Sequence, residues 1–285
     1  MTGARFRAIP LSLALVALAA FSLRVLLPFV RAGNRVVSPA FAETVDEIVV
    51  RGPREGFPLV FSLVEGRWTL VFDSDLRYPA NGDRIAGLLT YLSERRRIRR
   101  LNPLDGWTYG VEGPERCEIT LRSRSRSLEH SISFGSENAD GRSRFARKDG
   151  DSAIIALDGE VSAWLDNATA PWLDHAPFAG IGANGVSRAS LFARGSLVSL
   201  DPGAGLDRVV ELVSGLSVTD ITNIPVEPSF RVRLERGDTG VSVLAFASLD
   251  ERYGIVTEES TGLSWIVPGD RLEEILYAFQ HFSAM

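Results

Sequence analysis

The sequence predicts an α+β fold, in which an N-terminal transmembrane helix precedes two similar units of antiparallel sheet with helices packed on one face. Three patterns predict it. The chain begins with one long apolar run, strand-like runs later occur in groups of four, and the order of elements in the first half recurs in the second. A parallel sheet would need a helix between most of its strands, so we expect antiparallel pairing.

The chain divides into four segments on these patterns. A length of 285 residues leaves room for two domains of ordinary size beyond a targeting segment. The predicted segments are 1–30 as a membrane anchor or signal segment, 31–44 as a linker, 45–180 as the first unit and 181–285 as a second, weaker unit.

The N-terminal apolar run predicts a membrane-spanning helix. Residues 8–30 carry one charge, Arg24, and a spanning helix needs about 20 apolar residues. Arg24 lies near the outer end of the run, where its long side chain can reach the interface. The alternative is a cleaved signal peptide, with candidate cleavage sites at 17–19 and 40–42. We favour a retained anchor, and both interpretations place the rest of the chain across the membrane.

The composition argues against several classes of protein. Hydrophobic residues make up 45% of the chain, which is enough for a core and argues against disorder. The net charge of −5 argues against a dedicated nucleic-acid binder, whose domain is usually basic. The single cysteine, Cys117, excludes an intrachain disulfide and a cysteine-based zinc site. Its neighbours at 118–121 predict that Cys117 faces a core from a strand.

The first unit combines strands with one amphipathic helix. Its predicted strands are residues 47–50, 57–63, 67–72, 117–121, 127–134, 142–147 and 153–157. Glu65-Gly66 is the turn of the first hairpin. The helix starts at 81–83, and its apolar stripe is Ile85, Leu88, Leu89 and Leu92. A short helix starts near Asp158 and places Val161, Trp164 and Leu165 on one face.

The second unit repeats this order of elements. Its predicted strands are residues 189–193, 196–200, 230–234, 240–247, 253–257 and 263–267. A hairpin turns at Arg194-Gly195, and Asp201-Pro202 predicts a capped helix start with proline at the first helical position. The two apolar stripes of this unit are Val209, Leu212, Val213 and Leu216 in its first helix, and Leu272, Ile275, Leu276 and Phe279 in its last.

The sequence predicts no catalytic residue, no cofactor and no metal site. Residues 180–185 match GxGxxG, but they lack the preceding strand and following helix of a dinucleotide site, so we interpret them as a loop between the units. His130, His175 and His281 show no HxH or HExxH spacing, and no GxSxG elbow is present. A glycosidase-type pair of carboxylates stays open, because such a pair forms in space.

A basic run follows the first helix. Arg95, Arg96, Arg97, Arg99 and Arg100 lie close together, and cations at a helix C-terminus complement its dipole. The run has no interleaved aromatic residues, which argues against nucleic-acid binding. Anionic lipid headgroups or an acidic partner remain alternatives to a solvated helix end.

Several segments in order resemble the DUF4340 family. They are 66–70 with Trp68, 78–85 with Pro79, 109–114 with Tyr109, Gly110 and Pro114, 133–135, and 144–147. Val111 stands where the family usually has leucine, and Asn81 stands where aspartate is common. The likeness covers 45–180 well and 186–285 weakly. These motif residues have structural interpretations: Trp68 anchors the hairpin in the core, and 109–114 set the turn into the next strand.

The resemblance implies a membrane-anchored protein often encoded beside ABC-type permeases and gliding-motility-type auxiliary components. We therefore predict a non-enzymatic extracytoplasmic accessory component of an ABC-type transport complex. Its partners would be a permease or auxiliary subunit and the lipid bilayer through residues 8–30, with no nucleic acid. The chain would sit in the bacterial cytoplasmic membrane with its bulk outside. The alternatives are a binding module for an envelope polymer or small ligand, then an envelope hydrolase.

Overall fold

The computed structural model describes residues 35–53, 58–72, 76–94, 98–101, 108–165, 168–182, 185–237 and 240–283. The predicted anchor at 8–30 and Arg95, Arg96 and Arg97 lie outside these residues. Within the described ranges no helix is both long enough and apolar enough to cross a membrane. The α+β class is confirmed: antiparallel sheets dominate, and a few helices accompany them.

Nine described strands form the first sheet, in the order β4-β3-β2-β1-β6-β7-β8-β9-β5. They are β1 (Glu47–Arg51), β2 (Leu59–Val64), β3 (Arg67–Val71), β4 (Arg77–Pro79), β5 (Arg99–Leu101), β6 (Cys117–Ser123), β7 (Leu128–Glu137), β8 (Ser143–Lys148) and β9 (Ile154–Asp158). All neighbours pair antiparallel.

Seven described strands form the second sheet, in the order β11-β10-β13-β14-β15-β16-β12. They are β10 (Arg188–Ala193), β11 (Ser196–Leu200), β12 (Asp220–Ile221), β13 (Phe230–Arg236), β14 (Gly240–Ser248), β15 (Tyr253–Glu258) and β16 (Leu263–Pro268). The helices of the fold are α1 (Pro39–Ala42), α2 (Gly82–Ser93), α3 (Ala204–Ser214) and α4 (Gly269–Ser283), with 3-10 turns at Arg124–Arg126, Gly159–Trp164 and Ala170–Trp172.

The two sheets share one strand order. Reading from β2, the first sheet runs β2-β1-β6-β7-β8-β9-β5, and the second runs β11-β10-β13-β14-β15-β16-β12. In each sheet the helix, α2 or α3, precedes the edge strand, which is followed by the four-strand meander. The sequence patterns matched β10 and β11 to the hairpin of β2 and β3, whereas the strand order matches them to β1 and β2. Strands β3 and β4 extend the first sheet beyond this common order.

Helix α2 begins where the sequence predicts. Asn81 is its N-cap, with Oδ1 accepting a hydrogen bond from the Arg84 N–H at 3.0 Å. Three residues of the predicted stripe are fully buried, namely Ile85, Leu88 and Leu92, whereas Leu89 is only half-buried. Tyr91 is buried as well, and its hydroxyl is satisfied by donating to Asp158 Oδ1 at 2.8 Å. The buried face of the helix is therefore rotated away from Leu89.

Helix α3 begins later than predicted. Its N-cap is Gly203, with a φ of 152°, rather than Asp201 with Pro202 in the first turn. Asp201 instead forms an exposed ion pair with Arg188 at 2.9 Å. The buried stripe itself is confirmed, since Val209, Leu212, Val213 and Leu216 are all buried.

Residues 35–44, predicted as part of a linker, are packed into the fold. They contain α1, and Val36, Val37 and Phe41 are buried. The N–H groups of Val36 and Val37 both donate to Leu92 O, at 3.1 and 3.0 Å. These bonds use a carbonyl that the C-terminus of α2 leaves without an intrahelical donor. The segment therefore belongs to the first sheet's core. Likewise, the short helix predicted near Asp158 is a 3-10 turn that buries Val161 and Leu165.

The two sheets meet edge to edge through residues 168–182. On the first side, Ala80 bridges to Leu173, beside β4. On the second side, the Val218 N–H donates to His175 O at 3.0 Å, next to β12. One connecting segment therefore bonds to both sheet edges.

An aromatic cluster fills the same junction. The ring centroids of Tyr78 and Trp265 are 5.7 Å apart, and those of Phe178 and Trp265 are 5.0 Å apart. The Tyr78 hydroxyl donates to Thr222 O and accepts from the Ser264 N–H, both at 3.3 Å. Burial raises the pKa of this phenol, although the bond from Ser264 opposes the shift. These contacts join a strand of the first sheet to the second sheet.

Candidate functional site

The family-like residues Tyr109 and Gly110 lie against the β7 strand. Tyr109 O accepts hydrogen bonds from the Ser136 N–H at 3.0 Å and the Ser136 hydroxyl at 3.1 Å. A Cβ atom at Gly135 would lie 2.0 Å from Tyr109 O, and one at Gly110 would lie 2.9 Å from Ser136 N. Gly110 also has a φ of 72°, which favours glycine. Two separate sequence motifs therefore form one close backbone contact.

This contact fixes a segment that crosses the sheet. Between β5 at the edge and β6, the chain has to pass β9, β8 and β7. The Tyr109 ring packs edge-on against Phe145 of β8 with 4.7 Å between centroids. Glu112 pairs with Arg147 of the same strand at 2.5 Å, and Val111 is fully buried. These residues fasten the crossing to the sheet, which is a structural role.

The other family-like residues also have structural positions. Trp68 on β3 is half-buried and packs against the core. Pro79 ends β4, and its carbonyl accepts from the Asp174 N–H at 3.0 Å. Pro114 is exposed in the turn before β6. Nothing brings these three residues together with Tyr109 into one site.

Two histidines make structural contacts. The His130 ring lies edge-on to Phe41 with 4.4 Å between centroids. Burial lowers the pKa of His130, and the charge of Lys148 lowers it further. His175 Nδ1 lies 2.7 Å from Val218 O at the sheet junction. The His130 ring is therefore used in packing, and the His175 ring contributes a polar contact at the sheet junction.

The remaining candidate groups lie apart from any cluster. His281 is exposed and stacks on Tyr277, and Cys117 is buried on β6 as predicted. In the part of the chain that the structure describes, no group of three His, Cys, Asp or Glu residues is placed to hold a metal ion. The described residues of the GxGxxG segment form no strand or α-helix.

Charged side chains form a cross-strand network on one face of the first sheet. Arg122 lies opposite both Glu47 and Glu129 in register, at 2.5 and 2.6 Å, and Arg124 binds Glu47 at 2.7 Å. Burial opposes ionisation of Glu47, but the bonds from Arg124 and Arg122 outweigh it and hold the pKa of Glu47 below its ordinary value. This pattern is typical of a solvated sheet face.

Glu47→Gln should reduce the pH dependence of stability under acid. A depressed carboxyl pKa stabilises the fold above the unfolded-state value, about 4.3, and this contribution disappears as the pH falls through the lower folded-state value. We expect a loss of about 1 kcal/mol at pH 7 that vanishes at low pH. Urea unfolding at several pH values measures it, with exposed Glu251→Gln as control. An equal loss at every pH would contradict the ion-pair explanation.

The β10–β11 hairpin carries an exposed apolar surface. Its two-residue turn has positive φ at Arg194 (48°) and Gly195 (79°), as a type I′ turn requires. Phe192 and Leu197 lie opposite each other in register and are 41% and 60% exposed. Phe192 also lies opposite Arg231 of β13. We call Phe192, Arg194, Leu197, Ser199 and Arg231 the β11 edge surface.

A pocket of about 270 Å³ opens on this surface. Phe192, Leu197 and Pro228 supply apolar lining, and Arg194 and Arg231 supply positive charge. Arg231 pairs with Glu259 at 2.6 Å, whereas exposed Arg194 makes no ion pair with any described residue. Typical small-molecule sites occupy about 300–1,000 Å³, so this pocket lies at the small end of that range and has room for one large side chain.

The sequence analysis did not single out the β11 edge surface. Its residues alternate as an ordinary strand does, and the pattern predicts the strands of the hairpin but not which strand ends the sheet. One local signal was present: Phe192 and Leu197 flank the predicted turn by equal steps, and both are large and apolar on what proves to be the exposed face.

Comparison with known proteins gives one match. A family model described as "Domain of unknown function (DUF4340)" matches residues 68–245, which is more than half of the chain. We expected the likeness to be strong over 45–180 and weak beyond 186, but the match starts at Trp68 and reaches into β14 of the second sheet. No curated protein and no solved structure matches the chain.

Proposed function

The chain belongs to the DUF4340 family, and from that premise we propose that it is a non-enzymatic, extracytoplasmic accessory component of an ABC-type membrane transport complex. The observation that carries the proposal is the β11 edge surface. Its large apolar side chains are exposed beside an arginine that is unpaired within the described residues. Surfaces of this kind bind other proteins. By contrast, Arg51, Arg122, Arg124 and Arg147 of the first sheet are paired with carboxylates.

The β11 edge surface lies at one end of two sheets that are joined to each other. We interpret the shared strand order of the two sheets as a duplicated unit, with the predicted boundary at 180–181 between the copies. The aromatic junction around Tyr78 and Trp265 joins them. A retained anchor at 8–30 would keep the surface close to membrane partners and raise its effective concentration there.

A pull-down from native membranes in mild detergent tests the proposed function. We expect mass spectrometry to identify an ABC permease or its auxiliary subunit with the wild-type chain. Leu197→Lys should reduce that recovery at least about fivefold, because it places a charge in an apolar contact. Tyr277→Lys is the matched control, since Tyr277 is as exposed (65%) but lies on α4. Intact, abundant protein without any transporter subunit would contradict the proposal.

The proposed retained anchor makes a separate prediction. Mass measurement of the membrane-extracted chain should find Met1 or Thr2 at the N-terminus. Signal peptidase cleavage after 17–19 or 40–42 would instead leave Ala20 or Glu43 as the first residue. Either of these two termini would contradict the anchor and leave the β11 edge surface unaffected.

A further inference from the structure

The four sheet edges of the described residues differ in how they are protected. Unprotected sheet edges pair with other strands, and proteins cover or charge them to prevent it. The β4 edge is bonded to residues 173–174 of the connecting segment. The β12 edge is two residues long and lies next to Val218, which bonds to His175. The β5 edge is three residues long and carries exposed Arg99 and Arg100.

The β11 edge lacks these protections. It is five residues long, carries no charged residue and exposes Leu197. In a hairpin with a two-residue turn, the flanking pair Ala193 and Ser196 exchanges hydrogen bonds and the next pair does not. The backbone N–H and C=O groups of Leu197 and Ser199 therefore point away from β10. No residue of the described chain bonds to them.

The first sheet indicates that a further strand can pair at the β11 edge. Strand β2 occupies the position in the first sheet that β11 occupies in the second, and β3 pairs antiparallel with β2. The strand position beyond β11 is not filled by any described strand. Because the two sheets share their order up to this point, a strand added beside β11 would occupy the position that β3 occupies beside β2.

We propose that the outer edge of β11 binds an extended strand of a partner polypeptide, antiparallel to β11. Backbone hydrogen bonds to Leu197 and Ser199 provide affinity, and side chains of the strand provide specificity. One large apolar side chain enters the pocket lined by Phe192 and Leu197. An acidic side chain pairs with Arg194, whose positive charge is otherwise unpaired in the described chain. The inference rests on the proposed protein-binding function and adds the mode of recognition.

A labelled synthetic peptide tests the edge directly. The probe carries residues 66–72, which contain β3. The change Arg67→Glu gives it an acidic side chain beside the aromatic Trp68. Fluorescence anisotropy measures its binding to the full-length chain in detergent. We expect saturable binding that weakens at least about tenfold in Ser199→Pro, because proline removes the outward N–H but no bond of the hairpin ladder. Ser199→Ala keeps that N–H and should bind like the wild type.

Further variants keep the test decisive. If Ser199→Pro does not fold, Leu197→Lys retains every backbone group and should weaken binding at least about fivefold. Arg194→Ser should remove the preference for the Arg67→Glu peptide over the unchanged one. Absent binding, or binding that Ser199→Pro leaves unchanged in a folded chain, would overturn the proposal. Sedimentation that shows a wild-type dimer and a monomeric Ser199→Pro variant would also overturn it, because the edge would then bind a second copy of the chain.

The peptide assay and the pull-down test different claims, so their negative results can be distinguished. Peptide binding without recovery of a transporter subunit would retain the edge and contradict the ABC-type partner. Recovery of a permease by both the wild type and Ser199→Pro, without peptide binding, would retain the partner and overturn strand addition at β11.

Discussion

Gly135→Ala should destabilise the chain by at least about 3 kcal/mol, because overpacking against backbone has no flexible side chain to absorb it. The new Cβ would lie 2.0 Å from Tyr109 O and 2.7 Å from Val111 N. The clash is relieved only if the crossing segment moves away from β7, and that movement breaks the two hydrogen bonds from Ser136 to Tyr109 O. Thermal and urea unfolding of the full chain measure the change.

The matched control is Gly82→Ala. Gly82 opens α2, and a Cβ there meets nothing within 4 Å. Alanine favours the helix by up to about 1 kcal/mol, so this variant should be neutral or more stable. If Gly135→Ala melts like the wild type, then Tyr109 and Gly110 do not hold the crossing segment against the sheet.

Leu88→Asp should abolish folding of the first sheet's core, with an expected cost above about 4 kcal/mol. Leu88 is fully buried on α2, and a carboxylate there has no described partner. The neighbouring Leu89→Asp, which the sequence stripe alone would rank as equally damaging, should cost much less because Leu89 is half-buried. Circular dichroism and expression yield distinguish the two variants.

The comparison of Leu88→Asp with Leu89→Asp tests which face of α2 is buried. Both substitutions introduce the same charge into the same helix, so helix propensity and net charge are matched. Equal effects would mean that Leu89 is as deeply buried as Leu88, as the stripe of one isoleucine and three leucines predicts.

Local patterns were sufficient for most elements of the fold. The hairpin turns at Glu65-Gly66 and Arg194-Gly195, the cap at Asn81 and the meander of four strands in each half all follow from short-range sequence signals. The predicted start of α3 was wrong: Asp201-Pro202 is a good local cap signal, but the helix begins after Gly203 and Asp201 pairs with Arg188 instead. Leu89 packs against the core but is only half-buried, and Tyr91 was missed because apolar periodicity does not register the hydrogen bond that satisfies its buried hydroxyl.

The candidate site depends on non-local information. Phe192 and Leu197 are strand residues like many others, and their exposure follows only once β11 is known to end its sheet. The same holds for Gly135. In the sequence it looks like the end of a strand, but glycine is needed there because the Tyr109 carbonyl, 26 residues earlier, leaves no room for a Cβ atom. The family-like motifs were recognisable from sequence, whereas the contact that explains them required the path of the crossing segment.

The edge-to-edge junction has a consequence for the order in which the chain can fold. The Tyr78 hydroxyl accepts a hydrogen bond from Ser264, 186 residues later, so the buried contacts of Tyr78 at the junction cannot form until β16 has been synthesised. Contacts of such long sequence separation slow folding and leave strand edges exposed in intermediates. Truncations that end before β16 therefore leave the aromatic side chains of the junction without their partner Trp265, and we expect them to accumulate in insoluble form.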